Sequence, residues 1–243
     1  MVYARGLKKL RNTFFLKHSV CVDRSSVDLR HHGLSLFDLL FCIPGYSHAE
    51  LSLPPLYVPS SSAVRLSCNS QIIGVHFDAR WLRDGWSDTD SANLCRSIND
   101  HYKGSKKLIL TTDFEVFKQL PQLLPRSRAF GPDFSIRSLN SSLADDGCEY
   151  FLVDRPYFLD WLSIIQSCLV WITYEGGSVH VASASNVPVV NIIRKSSSSE
   201  CEQFVKEWHP WQQKHKNILL WSEVSSQRLI NKIINNLELL LPL

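Results

Sequence analysis

From Gln71 to the C-terminus the chain repeats one pattern: a short apolar, β-branched run, a stretch with helical spacing, and another apolar run. The runs are "QIIGVHF", "KKLILTT", "EYFLV", "LVWITY" and "VPVVNII". Between them lie "SANLCRSINDHY", "FEVFKQLPQLL" (interrupted by Pro121), "YFLDWLSIIQSC" and "SVHVASAS". Continuously apolar strands must be buried on both faces, and parallel neighbours need a crossover element to join them. The rhythm therefore predicts an α/β domain over residues 70–243, a Rossmann-like parallel sheet with helices on both faces. A last helix, from about Ser225 to Leu240, sets Leu229, Ile230, Ile233, Ile234 and Leu237 on one stripe, its core-facing side.

Residues 1–69 follow no such rhythm. They hold one helical stretch, "GLSLFDLLFCI", and then "LPPLYVPSSSAVRLSCNS", whose prolines and serines mark an inter-domain linker. They are too few for a second α/β domain, so the expectation is a short, incomplete N-terminal region. Arg5, Lys8, Lys9, Arg11 and Lys17 cluster at its start. They suit either the solvated face of a helix or an anionic membrane surface.

Composition narrows the function classes. A formal net charge of +3 is too small to imply nucleic-acid binding. The seven cysteines are widely spaced, form no CxxC pair and are odd in number, which predicts reduced thiols in a cytosolic protein. The N-terminus lacks the continuous apolar core of a secretory signal. The most membrane-like segment, "YFLDWLSIIQSCLVWITY", carries Asp160 and Gln166 and reads as a buried helix followed by a strand.

The stretch "ITYEGGSVHVASASNVPVVNII" places chemistry where a strand meets a helix. In open parallel sheets ligands bind beyond the carboxyl ends of the strands. Gly176 and Gly177 give a bend that lets a ligand approach the main chain. The helix that follows offers unpaired N–H groups and the positive end of its dipole, which suits a phosphate or diphosphate. Ser178 can cap the helix or donate its hydroxyl, and His180, one turn in, can donate to an anion. Residue types alone leave a second reading open, in which the glycines only make a tight turn and His180 is a core residue.

Three other patterns compete. Asp88-Thr89-Asp90 is a DxD, a divalent-cation motif in some glycosyltransferases, but it opens a helical stretch where such residues serve as caps. His76 and Asp78 share one strand face and could ligate a metal, yet a strand-end pair is the simpler reading. Gly176-Gly177-Ser178-Val179-His180 approaches a nucleophile elbow, so a serine hydrolase using Ser178 is an alternative. Its triad would need a pairing such as Glu200 with His209 downstream.

The segment "EGGSVHVASASNVPVV" resembles the signature of the heptosyltransferase-like glycosyltransferases, family nine, in which Asp-Thr/Ser-Gly-Pro-x-His leads into an Ala-rich helix and Val-Pro-Val-Val. Glu175 stands at the Asp, Gly177 at the Gly, Ser178 at the Pro and His180 at the His. Ala182 and Ala184 fall on helix alanines, Val187-Pro188-Val189-Val190 matches outright, and Ser196 falls where a Thr is usual. "WHPWQQKHKNILL" resembles the passage before the family's last strand. In "GVHFDARWLRDGWSDTDSANLCRSI", Trp86 sits at the Trp of a Lys-x-Trp-Pro segment, while Asp84 replaces the Lys. The resemblance covers roughly Gln71 to the C-terminus.

It implies the C-terminal, donor-binding half of a GT-B glycosyltransferase: a nucleotide-sugar donor, a glycan or glycolipid acceptor, and inverting, metal-independent transfer without a cofactor. Cytoplasmic lipopolysaccharide or surface-polysaccharide assembly, with peripheral contact at the inner membrane and a partner chain, would fit such an enzyme. Glu175, Gly176, Gly177, Ser178, His180, Arg194, Lys195 and Ser196 would contact the donor, with Arg80 or Arg83 in place of the missing Lys. The family's general base lies in an N-terminal domain, and none of Asp28, His31 and His32 can be assigned that role. A catalytically inactive or partner-dependent nucleotide-binding remnant is therefore the alternative.

Overall fold

A computed structural model of the 243-residue chain describes Leu66 and residues 71–112, 117–144, 147–208 and 215–241. The helical stretch, linker and basic cluster expected within residues 1–69 lie outside the described residues, Leu66 excepted.

Seven strands form one parallel sheet: β1 (Gln71–Phe77), β2 (Lys106–Thr112), β3 (Ser127–Phe130), β4 (Tyr150–Asp154), β5 (Val170–Tyr174), β6 (Val189–Arg194) and β7 (His215–Leu220). Their spatial order is β3-β4-β2-β1-β5-β6-β7. The described helices are α1 (Ala79–Arg83), α2 (Asp88–His101), α3 (Leu120–Leu123), α4 (Ile136–Leu143), α5 (Phe158–Gln166), α6 (Gly177–Ala184), α7 (Ser198–Trp208) and α8 (Ser226–Leu240). The Rossmann-like parallel sheet with helices on both faces is the observed architecture. The described residues belong to one compact unit, except residues 199–208 of α7, which belong to a second.

Alternation along each strand sorts the side chains onto two faces. Ile73, Val75, Leu108, Leu110, Leu152 and Ile172 join Leu94 and Ile98 of α2 and Leu229, Ile233 and Leu237 of α8 in one buried cluster. Ile72, Ile109, Phe151, Val153 and Trp171 join α4, α5 and α6 on the other face. Both clusters exclude water, which explains why the inner strands read as unbroken apolar runs.

All five expected strands are present, and the structure adds β3 and β7. The edge strand β3, "SRAF", exposes two of its four residues, so it carries no apolar run to detect. The "FEVFKQLPQLL" helix shrinks to α3 in its described part, with Pro121 in the first turn. Proline lacks an N–H but fits a helix start, so it begins this helix rather than interrupting one. Residues 114–116 of that stretch lie outside the described residues.

The order has a functional consequence. From β1 the chain proceeds through β2 toward one edge of the sheet, and from β5 through β6 toward the other. The β1 and β5 carboxyl ends therefore flank the point where winding reverses, the place at which open parallel sheets bind their ligands. The bend at Gly176-Gly177 lies at that point.

Candidate anion-binding site

Strand β5 ends at Tyr174, and the chain passes through Glu175 and Gly176 into α6. Gly176 adopts φ 138°, ψ −162°, a conformation in effect reserved for glycine. Only the first glycine needs this freedom: Gly177 has no positive φ and is the first residue of α6. Among the described residues, a Cβ at Gly177 would meet nothing within 4 Å. Among the described residues, no acceptor is recorded for the backbone N–H groups of Gly176, Gly177 and Ser178. The first N–H that the chain itself satisfies is that of Val179, which donates to the Gly176 carbonyl at 3.1 Å. The N-terminus of α6 thus presents successive donors at the switch point of the sheet.

Cations converge on this rim from two loops, those after β1 and β6. After β1, Asp78 caps α1 by accepting the Arg80 backbone N–H at 2.8 Å, and it also accepts the Arg80 Nε at 2.9 Å. The tether turns the Arg80 guanidinium over the bend, where a Cβ on Gly176 would lie 2.5 Å from one terminal nitrogen. At the end of β6, Arg194 Nε lies 2.8 Å from Asp84 Oδ2, and Lys195 pairs with Glu175. Beside the Arg194–Asp84 contact sits the buried Tyr174, whose hydroxyl has no aligned hydrogen-bond partner. Burial, and then Asp84, push its phenol far above the ordinary tyrosine range, so it stays protonated.

Not every sequence candidate occupies the role suggested for it. Ser178 does not cap α6; its hydroxyl lies 2.7 Å from the Thr173 hydroxyl in a buried pair. That partner cannot act as a general base, which weighs against a nucleophilic Ser178; His209, in the pairing proposed for the triad, lies outside the described residues. His180 is half-buried within α6 and engaged in a contact of its own. Ser196 is exposed in the loop after β6 and is also engaged. Arg83 is exposed, and it is Arg80 that reaches the glycine bend. Asp84, the residue standing at the missing Lys, serves as the partner of Arg194.

The competing motifs resolve into ordinary structure. Ser87 caps α2 and forms a capping box with Asp90. Burial pushes the Asp90 carboxyl up, but hydrogen bonds from Ser226 and Ser87 outweigh it and hold the carboxyl below its usual range. Asp88 accepts the Gln119 N–H, so the DxD triplet is committed to local structure. His76 pairs with Thr111 at 2.9 Å and packs against Trp161 and Trp171. Among the described residues no group of three or more potential metal ligands assembles. Nor is any described helix long and apolar enough to cross a membrane.

Neither a family model nor a curated protein matches the sequence. Solved structures do match the fold. The glycosyl transferase family 9 protein from Veillonella parvula DSM 2008 aligns with a TM-score of 0.59 and 12% identity, over 91% of this chain and 62% of its own. E. coli ADP-heptose lps heptosyltransferase II aligns with a TM-score of 0.51 and 17% identity, over 80% of this chain and 55% of its own. The chain shares its fold with these two glycosyltransferases. The chain spans less than two thirds of either protein's length. Within this heptosyltransferase-like fold, the segment carrying the sequence resemblance, Glu175–Val190, forms the β5–α6–β6 bend at the switch point. Asp78 and Arg80 are the site residues that sequence reasoning undervalued. Their signal was an Asp directly after a strand with an Arg two positions on, a cap that also holds a cation.

Proposed function

We propose that this chain binds a nucleotide-activated sugar and serves as the donor half of a glycosyl transfer to a glycan or glycolipid acceptor. One observation carries the reading: backbone donors without an acceptor among the described residues lie at a glycine bend where the sheet reverses its winding, with Arg80, Arg194 and Lys195 near it. This arrangement offers charge and hydrogen bonds to a diphosphate, which is both the donor's anchor and the leaving group's handle. As the acceptor hydroxyl attacks the anomeric carbon, the sugar–oxygen bond breaks and negative charge grows on the departing diphosphate. Preorganised N–H dipoles stabilise such charge without rearranging, and the cations add to them. His180 is assigned to the same anion from within the first turns of α6, and Ser196 from the loop beyond β6.

Transfer is proposed to invert the anomeric centre and to need no metal or cofactor. A lipopolysaccharide or surface-polysaccharide acceptor, contact with the inner membrane from the cytoplasmic side, and a partner chain supplying the base complete the proposal. A nucleotide-binding protein without turnover is the second reading, favoured by the Lys-to-Asp exchange at Asp84.

The test is a thermal-shift screen of ADP, UDP and their sugar conjugates, since a ligand that binds only the folded chain raises its Tm. A shift with a nucleoside diphosphate and its sugar supports donor binding, and release of free sugar or product from that conjugate separates enzyme from binder. No shift with any of them refutes the reading.

A further inference from the structure

Three described cations near the bend are each held by a carboxylate of the chain itself: Arg80 by Asp78, Arg194 by Asp84, and Lys195 by Glu175. Three positive and three negative side chains cancel, so the free rim is not the positive basin that a diphosphate site usually offers. The Glu175–Lys195 pair adjoins the bend in the chain itself, because Glu175 immediately precedes Gly176. Its carboxylate is only half satisfied. Oε1 meets Lys195, while Oε2 is buried with no hydrogen-bond partner among the described residues. A buried carboxylate oxygen without a donor is costly, and it is tolerated where the group has a second state to occupy.

We propose that Glu175, and with it Asp78, acts as an internal counter-anion that competes with the donor's diphosphate for Lys195 and Arg80. This rests on the donor-site reading and adds a role that reading does not contain. In the free protein the carboxylates occupy the cations. On donor binding the diphosphate oxygens take the lysine and guanidinium, and the carboxylates turn toward solvent. After transfer Glu175 recaptures Lys195, which speeds departure of the nucleoside diphosphate. The pair thereby sets both the affinity and the residence time of the anion. Competition of this kind obeys linkage: a group that binds Lys195 in the free state weakens any ligand needing Lys195 by the same factor.

The test uses the full chain and inorganic diphosphate as probe, which reads the rim without requiring a particular base or sugar. Isothermal titration of wild type, Glu175→Gln, Lys195→Met and the double variant is compared. Removing one like charge a few ångströms from the anion makes Glu175→Gln bind roughly tenfold tighter. Lys195→Met weakens binding, and the double variant shows no gain over Lys195→Met alone. Should Glu175→Gln not fold, Asp78→Asn gives the same readout through Arg80, because asparagine keeps the cap of α1. A Glu175→Gln affinity equal to or below wild type overturns the competition. If wild type still binds ADP or UDP in that case, the donor-site reading survives it. Absence of binding by wild type and every variant overturns both.

Discussion

The two adjacent glycines should respond in opposite ways to the same added methyl. At Gly176 an alanine inherits φ 138°, ψ −162°, a region costing a side chain of order 1–3 kcal/mol. Its Cβ would also sit 2.5 Å from the Arg80 guanidinium. That end of a flexible side chain can swing away, so the steric cost alone is small. Swinging means releasing Asp78, and a part-exposed ion pair of this kind contributes at most about 1 kcal/mol. Backbone strain therefore dominates, and Gly176→Ala should lose about 2–3 kcal/mol, or roughly 4–12 °C in Tm for a chain of this size. Gly177 is helical, would set a Cβ against nothing within 4 Å among the described residues, and gains helix propensity as alanine, up to about 1 kcal/mol. Gly177→Ala should leave Tm unchanged or raise it slightly, while its methyl intrudes on the space a diphosphate would use and weakens ADP or UDP binding. Thermal melts by circular dichroism, paired with titration of the nucleotide that binds wild type, measure both effects. Equal destabilisation by the two substitutions, or a Gly176→Ala melt within about 1 °C of wild type, would refute the assignment of strain to the first glycine alone.

Other sites give independent checks. Gly74→Ala places a Cβ 2.2 Å from the ring of the fully buried Trp171; overpacking should cost about 3 kcal/mol, and a chemical-denaturation midpoint near wild type would show that the indole moves freely. His180→Ala should leave the melt within a few degrees of wild type yet weaken nucleotide binding, and unchanged affinity by calorimetry removes His180 from the site. Burial lowers the pKa of His76, with Asp78 opposing and Arg80 reinforcing the effect. The fold thus favours the neutral ring, and stability intact above the ordinary value of about 6.5 should decline as pH falls from there toward the lowered folded value. His76→Gln should flatten that decline in Tm measured between pH 5 and 8, and an equally steep loss in the variant would exonerate His76.

Much of the sheet was legible because inner parallel strands are apolar on both faces: "KKLILTT" and "LVWITY" cannot be read otherwise. The edge escaped for the complementary reason. Ser127–Phe130 of β3 is half exposed and carries no run, and "HKNILL" of β7, which the resemblance set before a last strand, forms that strand itself. At the site, the glycine bend was legible as strand-to-helix punctuation, but the division of labour between its glycines was not, since φ is set by the turn and not by residue type. Ser178 illustrates a further limit. A hydroxyl one residue into a helix suits a cap or a ligand equally well, and only tertiary packing chose Thr173 as its partner.

The ion pairs were the least visible feature, because each joins residues from different βα loops or depends on a rotamer. Yet they follow from the topology. Parallel strands gather all their carboxyl-end loops at one rim, and a site that recruits cations from several loops concentrates like charge there. Without a ligand, clustered cations repel one another, and nearby carboxylates relieve that strain at the expense of ligand affinity. The exchange at Asp84 fits this logic. Where the resemblance leads one to expect a lysine, this chain has an acid, and Arg194 from β6 lies against it. Charge has been redistributed across the switch point, and the consequence for donor binding turns on whether those pairs open.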